Sequence, residues 1–195
     1  MKTLWFDVET TGLDPIKHDI VQVAGIIESE GKIIEEFEFF QQPKNRNDVD
    51  AYALKVQNKT LDDVMAYPEN GNIYRKMIGI FNKHVNKFSI FDKFMPAGQN
   101  VQFDKQFLYS TWNKNGDSYL GSYLWGANID LLTAVAIAID MGKMDIPLNK
   151  KGAPGYKLEF IAKVLGVNLE NAHSAIDDIK ATRDCYLKIK GMLRA

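Results

Sequence analysis

Polar and apolar residues alternate through the first stretch of the chain: Leu4, Phe6 and Val8 fall on one side and Asp7 and Glu9 on the other, so residues 2–7 are predicted to form a half-buried β-strand. Residues 19–28 and 32–41 read as two more strands, and the tight connection at Ser29-Glu30-Gly31 makes the three an antiparallel meander. Residues 43–50 end that pattern. Thr60-Leu61-Asp62-Asp63 has the form of an N-capped short helix. Ile73, Met77, Ile80, Phe81, His84, Phe88 and Phe91 make the apolar stripe of a long second helix, with His84 expected to pack inside it and Lys76, Lys83 and Lys87 on a solvated face. The pattern breaks after Pro96 at Ala97-Gly98-Gln99-Asn100, and a helix over 101–110 follows, giving a strand, a turn and a helix. Asp130 is placed to cap the apolar helix 131–139. Residues 141–156, rich in Gly, Pro and Lys, are expected to be irregular, a mobile basic loop at a site's rim. Two helices close the chain, over 157–165 with Gly166 as its stop and over 174–193.

The order β, β, β, α, β, α, α, α predicts an α/β fold, a mixed sheet whose fourth strand returns beside the first and whose faces carry the helices. In that arrangement the end of strand one, the Gln99-Asn100 turn and the start of the last helix meet at one edge of the sheet.

Composition narrows the class. With 195 residues, 46% hydrophobic and 25% charged, the chain is expected to be one globular domain over 1–195. Its formal net charge of -1 offers no global attraction to nucleic acid, yet a carboxylate site holding divalent cations is locally far less negative, so a phosphodiester substrate is not excluded. Cys185 is the one cysteine, which rules out a disulfide framework and suggests a buried thiol. Together with an N-terminus that runs straight into a charged strand rather than a secretion signal, this points to a reducing, cytoplasmic location. Asp130 and Asp140 bracket the apolar stretch well short of the roughly 20 residues that span a bilayer, so no membrane partner is expected.

The chemistry begins with Asp7 and Glu9, two carboxylates sent to one side of a buried strand. Like charges held together with little solvent either raise a pKa or bind a cation, and hard oxygen donors favour Mg²⁺ or Mn²⁺. An isolated Asp-x-Glu is more often a pair of surface acids, so further ligands are needed. Asp104 lies early in its predicted helix, and Asp178 follows His173 by five residues at the start of the last one. Each has a bland reading too, since a helix N-terminus favours acids through its dipole and a lone His is more often structural; Asp177 is assigned that lesser role.

Taken in order, Asp7, Glu9, Asp104 and Asp178 resemble the ligand set of the DEDD exonuclease superfamily, and His173 marks the DEDDh branch, which includes proofreading subunits of bacterial replicative polymerases, ribonuclease T and oligoribonuclease. The resemblance covers nearly the whole chain. Phe6 to Leu13 is similar to the first motif, Gly98-Gln99-Asn100-Val101-Gln102-Phe103-Asp104 to the second and His173 to Asp178 to the third. Softer matches are Ala53-Leu54-Lys55-Val56 to Thr60, similar to the segment before the family's first helix, and Tyr156-Lys157-Leu158 to Gly166-Val167, similar to the helix leading into the third motif. Residues 141–156 look longer than the family core, and Ser174 stands where bulkier polar residues are common; both bear on the substrate groove rather than the chemistry.

The resemblance implies a ribonuclease H-like fold and hydrolysis of phosphodiesters from the 3′ end of single-stranded DNA or RNA, with release of 5′-mononucleotides. It implies two divalent cations, Mg²⁺ or Mn²⁺, with Asp7 shared between them, Glu9 and Asp178 on the nucleophile side, and Asp104 holding the second mainly through water. His173 would be the general base, with a reference pKa of about 6.5, so activity is expected to climb from mildly acid to alkaline pH. Thr10, Thr11 and Gly12 would present amides and hydroxyls to the terminal sugar and Leu13 would wedge beside the last base. Asn100 would line the same pocket, with Phe103 either there or in the core. Two rivals stay open: a binding module that keeps the fold without hydrolysis, and a subunit whose task is to dock on a DNA polymerase. The absence of a tail after the last predicted helix speaks against the second. The motifs do not choose between DNA and RNA.

Overall fold

The computed structural model describes residues 1–169 and 175–194. Strand β1 (Lys2–Thr10) pairs antiparallel with β2 (Ile20–Ser29), which pairs antiparallel with β3 (Lys32–Phe40). The two-residue turn between β2 and β3 puts Glu30 and Gly31 both in the left-handed region, φ 52° and 81°, the hairpin geometry whose twist suits the flanking strands. On the other side of β1, β4 (Phe94–Gly98) runs parallel to it, and the two-residue β5 (Ile129–Asp130) runs parallel to β4. The sheet order is β3-β2-β1-β4-β5. This is the expected mixed sheet, with one strand too short to leave a pattern in the sequence.

Helices α1 (Ala51–Val56), α2 (Leu61–Met65) and α3 (Ile73–His84) follow β3, α4 (Val101–Lys114) follows β4, and α5 (Leu131–Asp140), α6 (Leu158–Leu165) and α7 (Ala175–Met192) complete the chain. Thr60 closes a reciprocal capping box with Asp63, as the motif predicts. The segment expected to precede the first helix is itself helical, as α1, capped by Asp50.

The period-two pattern of β1 sorts the core into two layers. Leu4, Phe6 and Val8 pack with Ile73, Met77 and Phe81 of α3 and with Val101, Phe107 and Leu108 of α4. Trp5, on the opposite face, packs with Ala24, Ile26 and Ala97 against Ala175 and Ile179 of α7. Asp7 and Glu9 share the α7 face, being two and four residues on from Trp5. Cys185 is buried, as expected, and burial pushes its thiol up to about 12.

Two expectations are corrected. Helix α3 stops at His84, and Phe88 and Phe91 are 87% and 82% exposed. The side chains of Asn86 and Asp92 accept from Phe88 N–H at 3.2 Å and Asn86 N–H at 2.9 Å, local bonds that offer the backbone an alternative to helix. His84 does not pack as an apolar residue: its Nε2 meets Glu35 of β3, where Lys83 also sits at 2.9 Å. Residues 141–156 form no helix or strand, as expected, and are held by local bonds: Met144 is buried, and Asn149 folds the loop on itself, its N–H reaching Ala153 O at 2.8 Å and its Oδ1 accepting from Lys151 N–H at 2.8 Å.

Candidate active site

The parallel strands β1, β4 and β5 all end at one edge, the place where α/β sheets leave a crevice for ligands. The β1–β2 ladder slips there: Glu9 faces Gln22 but Thr10 faces Ile20, a bulge that re-aims the end of the strand. Gly98 closes β4 so tightly that a Cβ would stand 3.0 Å from Phe6 O. Asn100 then turns the chain through the left-handed region, φ 58°, to launch α4. Asn is among the few residues that tolerate this conformation, and such backbone gathers at functional sites.

A cavity of about 240 Å³ opens at this edge. Asp7, Gly98, Gln99 and Asn100 line it from the sheet side, and Asp178, Ile179 and Thr182 from α7, with Trp5, Phe6 and Leu158 completing the wall. Asp104 reaches the same strand from the other face: it is 3% exposed, and its Oδ1 accepts the N–H of Val8 at 3.1 Å. Helices on opposite faces of the sheet thus bring Asp104 and Asp178 to the strand that carries Asp7 and Glu9.

The charges register this crowding. Burial, followed by the nearby charges of Glu9 and Asp178, raises the Asp7 carboxyl from 3.8 to about 7. Burial and then Asp7 raise Asp104 well above 3.8; Glu9 adds to the rise and the Val8 N–H opposes it. All four acids are therefore electrostatically connected. Among the described residues, no three Asp, Glu, His or Cys side chains stand close enough to cage one cation.

The remaining expected site residues divide. Leu13 is 76% exposed beyond the end of β1. Thr10 and Thr11 are buried and turned inward: Thr10 Oγ1 donates to Gly12 O at 2.7 Å, Thr11 N–H donates to Asp19 O at 3.0 Å, and Thr11 Oγ1 accepts from Asp19 N–H at 3.0 Å. Gly12 lies under the His18 ring, where a Cβ would meet ring atoms at 2.4–2.6 Å. These bonds hold the loop that carries Leu13 beyond the end of β1. Phe103 resolves toward the core, tilted against Phe107 at 4.9 Å and packed on the first layer rather than lining the cavity. His173 lies outside the described residues.

Sequence reasoning passed over several contributors. Gln99 lines the cavity and donates to Tyr156 O at 2.8 Å, tying the 141–156 loop to the rim. Thr182 stands four residues after Asp178, a helical neighbour that periodicity alone could have found. The packing of His18 on Gly12 left no signal in the sequence.

The class is that of the exonucleases, hydrolases that act on nucleic acid. Residues 4–186 match the family model described as exonuclease, RNase_T, and the chain belongs to that family. It is 28% identical over 191 residues to the DNA polymerase III PolC-type protein of Pediococcus pentosaceus, a match covering 97% of this chain and 11% of that one. The PolC-type protein of Staphylococcus aureus is 28% identical over 184 residues, covering 94% of this chain and again 11% of the relative. Among solved structures, E. coli Exonuclease I in complex with a dA16 oligonucleotide superimposes with a TM-score of 0.74 at 22% identity, over 97% of this chain and 41% of that one. A zinc-bound form of the E. coli ExoI-ssDNA complex gives 0.77 at 24%, over 97% of this chain and 40% of that one. The chain therefore spans about a tenth of the polymerases and two fifths of the exonucleases it matches. The solved structures share the ribonuclease H-like fold that the resemblance implied, with the mixed sheet predicted from the element order. No helix among the described residues is long and apolar enough to cross a membrane.

Proposed function

We propose that this chain is a 3′→5′ exonuclease that removes 5′-mononucleotides from single-stranded nucleic acid, with residues 1–195 forming one catalytic domain. The observation that carries the reading is the convergence of Asp7 and Asp178 on one cavity, with Asp104 bonded to the neighbouring strand residue Val8. Four mutually repelling carboxyl groups and hard oxygen donors fit divalent cations, Mg²⁺ or Mn²⁺, held by Asp7, Glu9, Asp104 and Asp178. Such ions supply charge neutralisation at the scissile phosphate and the leaving oxygen. Leu13, exposed at the tip of its loop, packs beside the terminal base, and Asn100 and Gln99 line the path of the last nucleotide. His173 takes the proton from the oxygen of the attacking water. The setting is cytoplasmic.

A 5′-labelled single strand, as DNA and as RNA, incubated with the protein and Mg²⁺ tests this directly, with a duplex and a chelator as controls. A ladder that shortens from the 3′ end is expected. Retention of the strand without shortening would instead make the chain a binding module, and internal cuts would make it an endonuclease. Contacts to the 2′ position decide between DNA and RNA, and the paired substrates read that preference.

A second reading is supported by the PolC-type relatives, in which the matching stretch is a small part of a polymerase. In it, the chain edits primer ends beside a DNA polymerase. Faster removal of a mispaired than a paired 3′ nucleotide, enhanced by added polymerase, is its expected mark.

A further inference from the structure

We propose that Asp130 is a positioning residue for this reaction, acting through Asp104 and Asn100; the inference rests on the nuclease reading above. The carboxylate does more than cap its own helix. Its Oδ1 accepts from Leu132 N–H at 2.9 Å and Thr133 N–H at 3.4 Å, which satisfies the start of α5. Its Oδ2 leaves that helix and accepts from Val101 N–H, the first amide of α4, at 2.9 Å. Helix α4 needs the foreign acceptor because Asn100, held at φ 58°, makes no side-chain cap of its own. Val101 is fully buried, so water does not replace the lost partner.

Asp130 is itself located by the sheet, since Gly98 pairs with Asp130 and Ala97 with Ile129. A second tie runs alongside: buried Lys105 of α4 donates to Gly126 O at 3.0 Å and Asn128 Oδ1 at 2.6 Å, in the segment that enters β5. At the far side of the first turn of α4, Asp104 accepts from Val8 N–H at 3.1 Å. Strand β1, helix α4, strand β5 and strand β4 thus form a closed ring of contacts. Asp130 is the link that sets where α4 begins, and with it the wall at Asn100 and the reach of Asp104 toward Asp7.

The substitution Asp130→Asn isolates this role, because an amide has a single acceptor oxygen and only one of the two helix starts can keep its partner. Three quantities are to be measured on the full chain: Mn²⁺ affinity by calorimetry without substrate, kcat and KM on a single-stranded oligonucleotide, and Tm. Asp92→Asn serves as a stability control, since Asp92 ties Asn86 and Lys2 at the opposite end of the sheet. For D130N, Mn²⁺ affinity and kcat are each expected to fall about tenfold or more, with KM within about twofold. D92N is expected to lower Tm with neither effect. If D130N changes Tm alone, as D92N does, Asp130 is merely a cap and the proposal fails. Should D130N not fold, Asp130→Ser, which keeps one oxygen for α5, carries the same comparison. A wild-type chain that neither binds Mn²⁺ nor shortens the strand would overturn the nuclease reading itself, whereas an active wild type with an unaltered D130N overturns only the role of Asp130.

Discussion

The backbone N–H of Val8 donates to Oδ1 of Asp104 at 3.1 Å, so the helix bearing one acid is docked on the strand bearing two others. Asp104→Asn keeps an acceptor for Val8 and removes a charge from a crowded site. It is expected to fold, to melt no lower than wild type in chelator, and to lose about 100-fold or more in turnover. Asp104→Ala leaves the Val8 amide without a partner and is expected to lower stability by about 1–3 kcal/mol as well. Denaturant melts of the two variants separate these effects.

Crowding at Asp7 makes the metal-free protein sensitive to pH. A carboxyl raised from 3.8 in the unfolded chain to about 7 in the folded one contributes stability below its unfolded pKa, and that contribution is lost as pH rises through about 7. In chelator, Tm is therefore expected to fall from about pH 4 to pH 7, and Mg²⁺ to raise Tm more at about pH 8 than at about pH 5. Asp7→Asn is expected to flatten this dependence and to abolish activity. Equal Mg²⁺ shifts at both pH values would contradict the assignment.

His173→Ala is expected to leave far-UV circular dichroism and Tm unchanged while lowering kcat by about 100-fold or more. The rise of wild-type activity from mildly acid to alkaline pH should flatten in the variant. Wild-type turnover in the variant would remove His173 from the mechanism.

Gly12 has no room for a Cβ beneath His18, whose Nδ1 is held by Asp14 N–H at 3.0 Å. Gly12→Ala is expected to destabilise the chain by about 1–3 kcal/mol. Adding His18→Ala removes the obstruction, so the double variant should be less destabilised than the sum of the single ones. Additive losses would show that the loop, and not the ring, sets the limit.

Much of this protein could be read along the chain, because the governing interactions are local. The period of β1 places Asp7 and Glu9 on one side; Glu30-Gly31 supplies a hairpin turn, Thr60 with Asp63 a helix start, and Gly166, at φ 61°, a helix stop. The misreadings arose where a distant or competing partner prevailed. Glu35 converts His84 from an apolar packing residue to a hydrogen-bond partner, and Asn86 with Asp92 ends a helix that the apolar stripe would have prolonged.

The sequence by itself determined the element order, the mixed α/β sheet and the set of acids, since these follow from side-chain periodicity and residue chemistry, which are properties of neighbours in the chain. Only the tertiary structure decided that Asp178 shares a cavity with Asp7, that Thr10 and Thr11 bond inward, that Phe103 joins the core, and that Asp130 serves two helices. The shared cavity of Asp7 and Asp178 and the second bond of Asp130 need partners far apart in the chain, which long-range packing alone brings together.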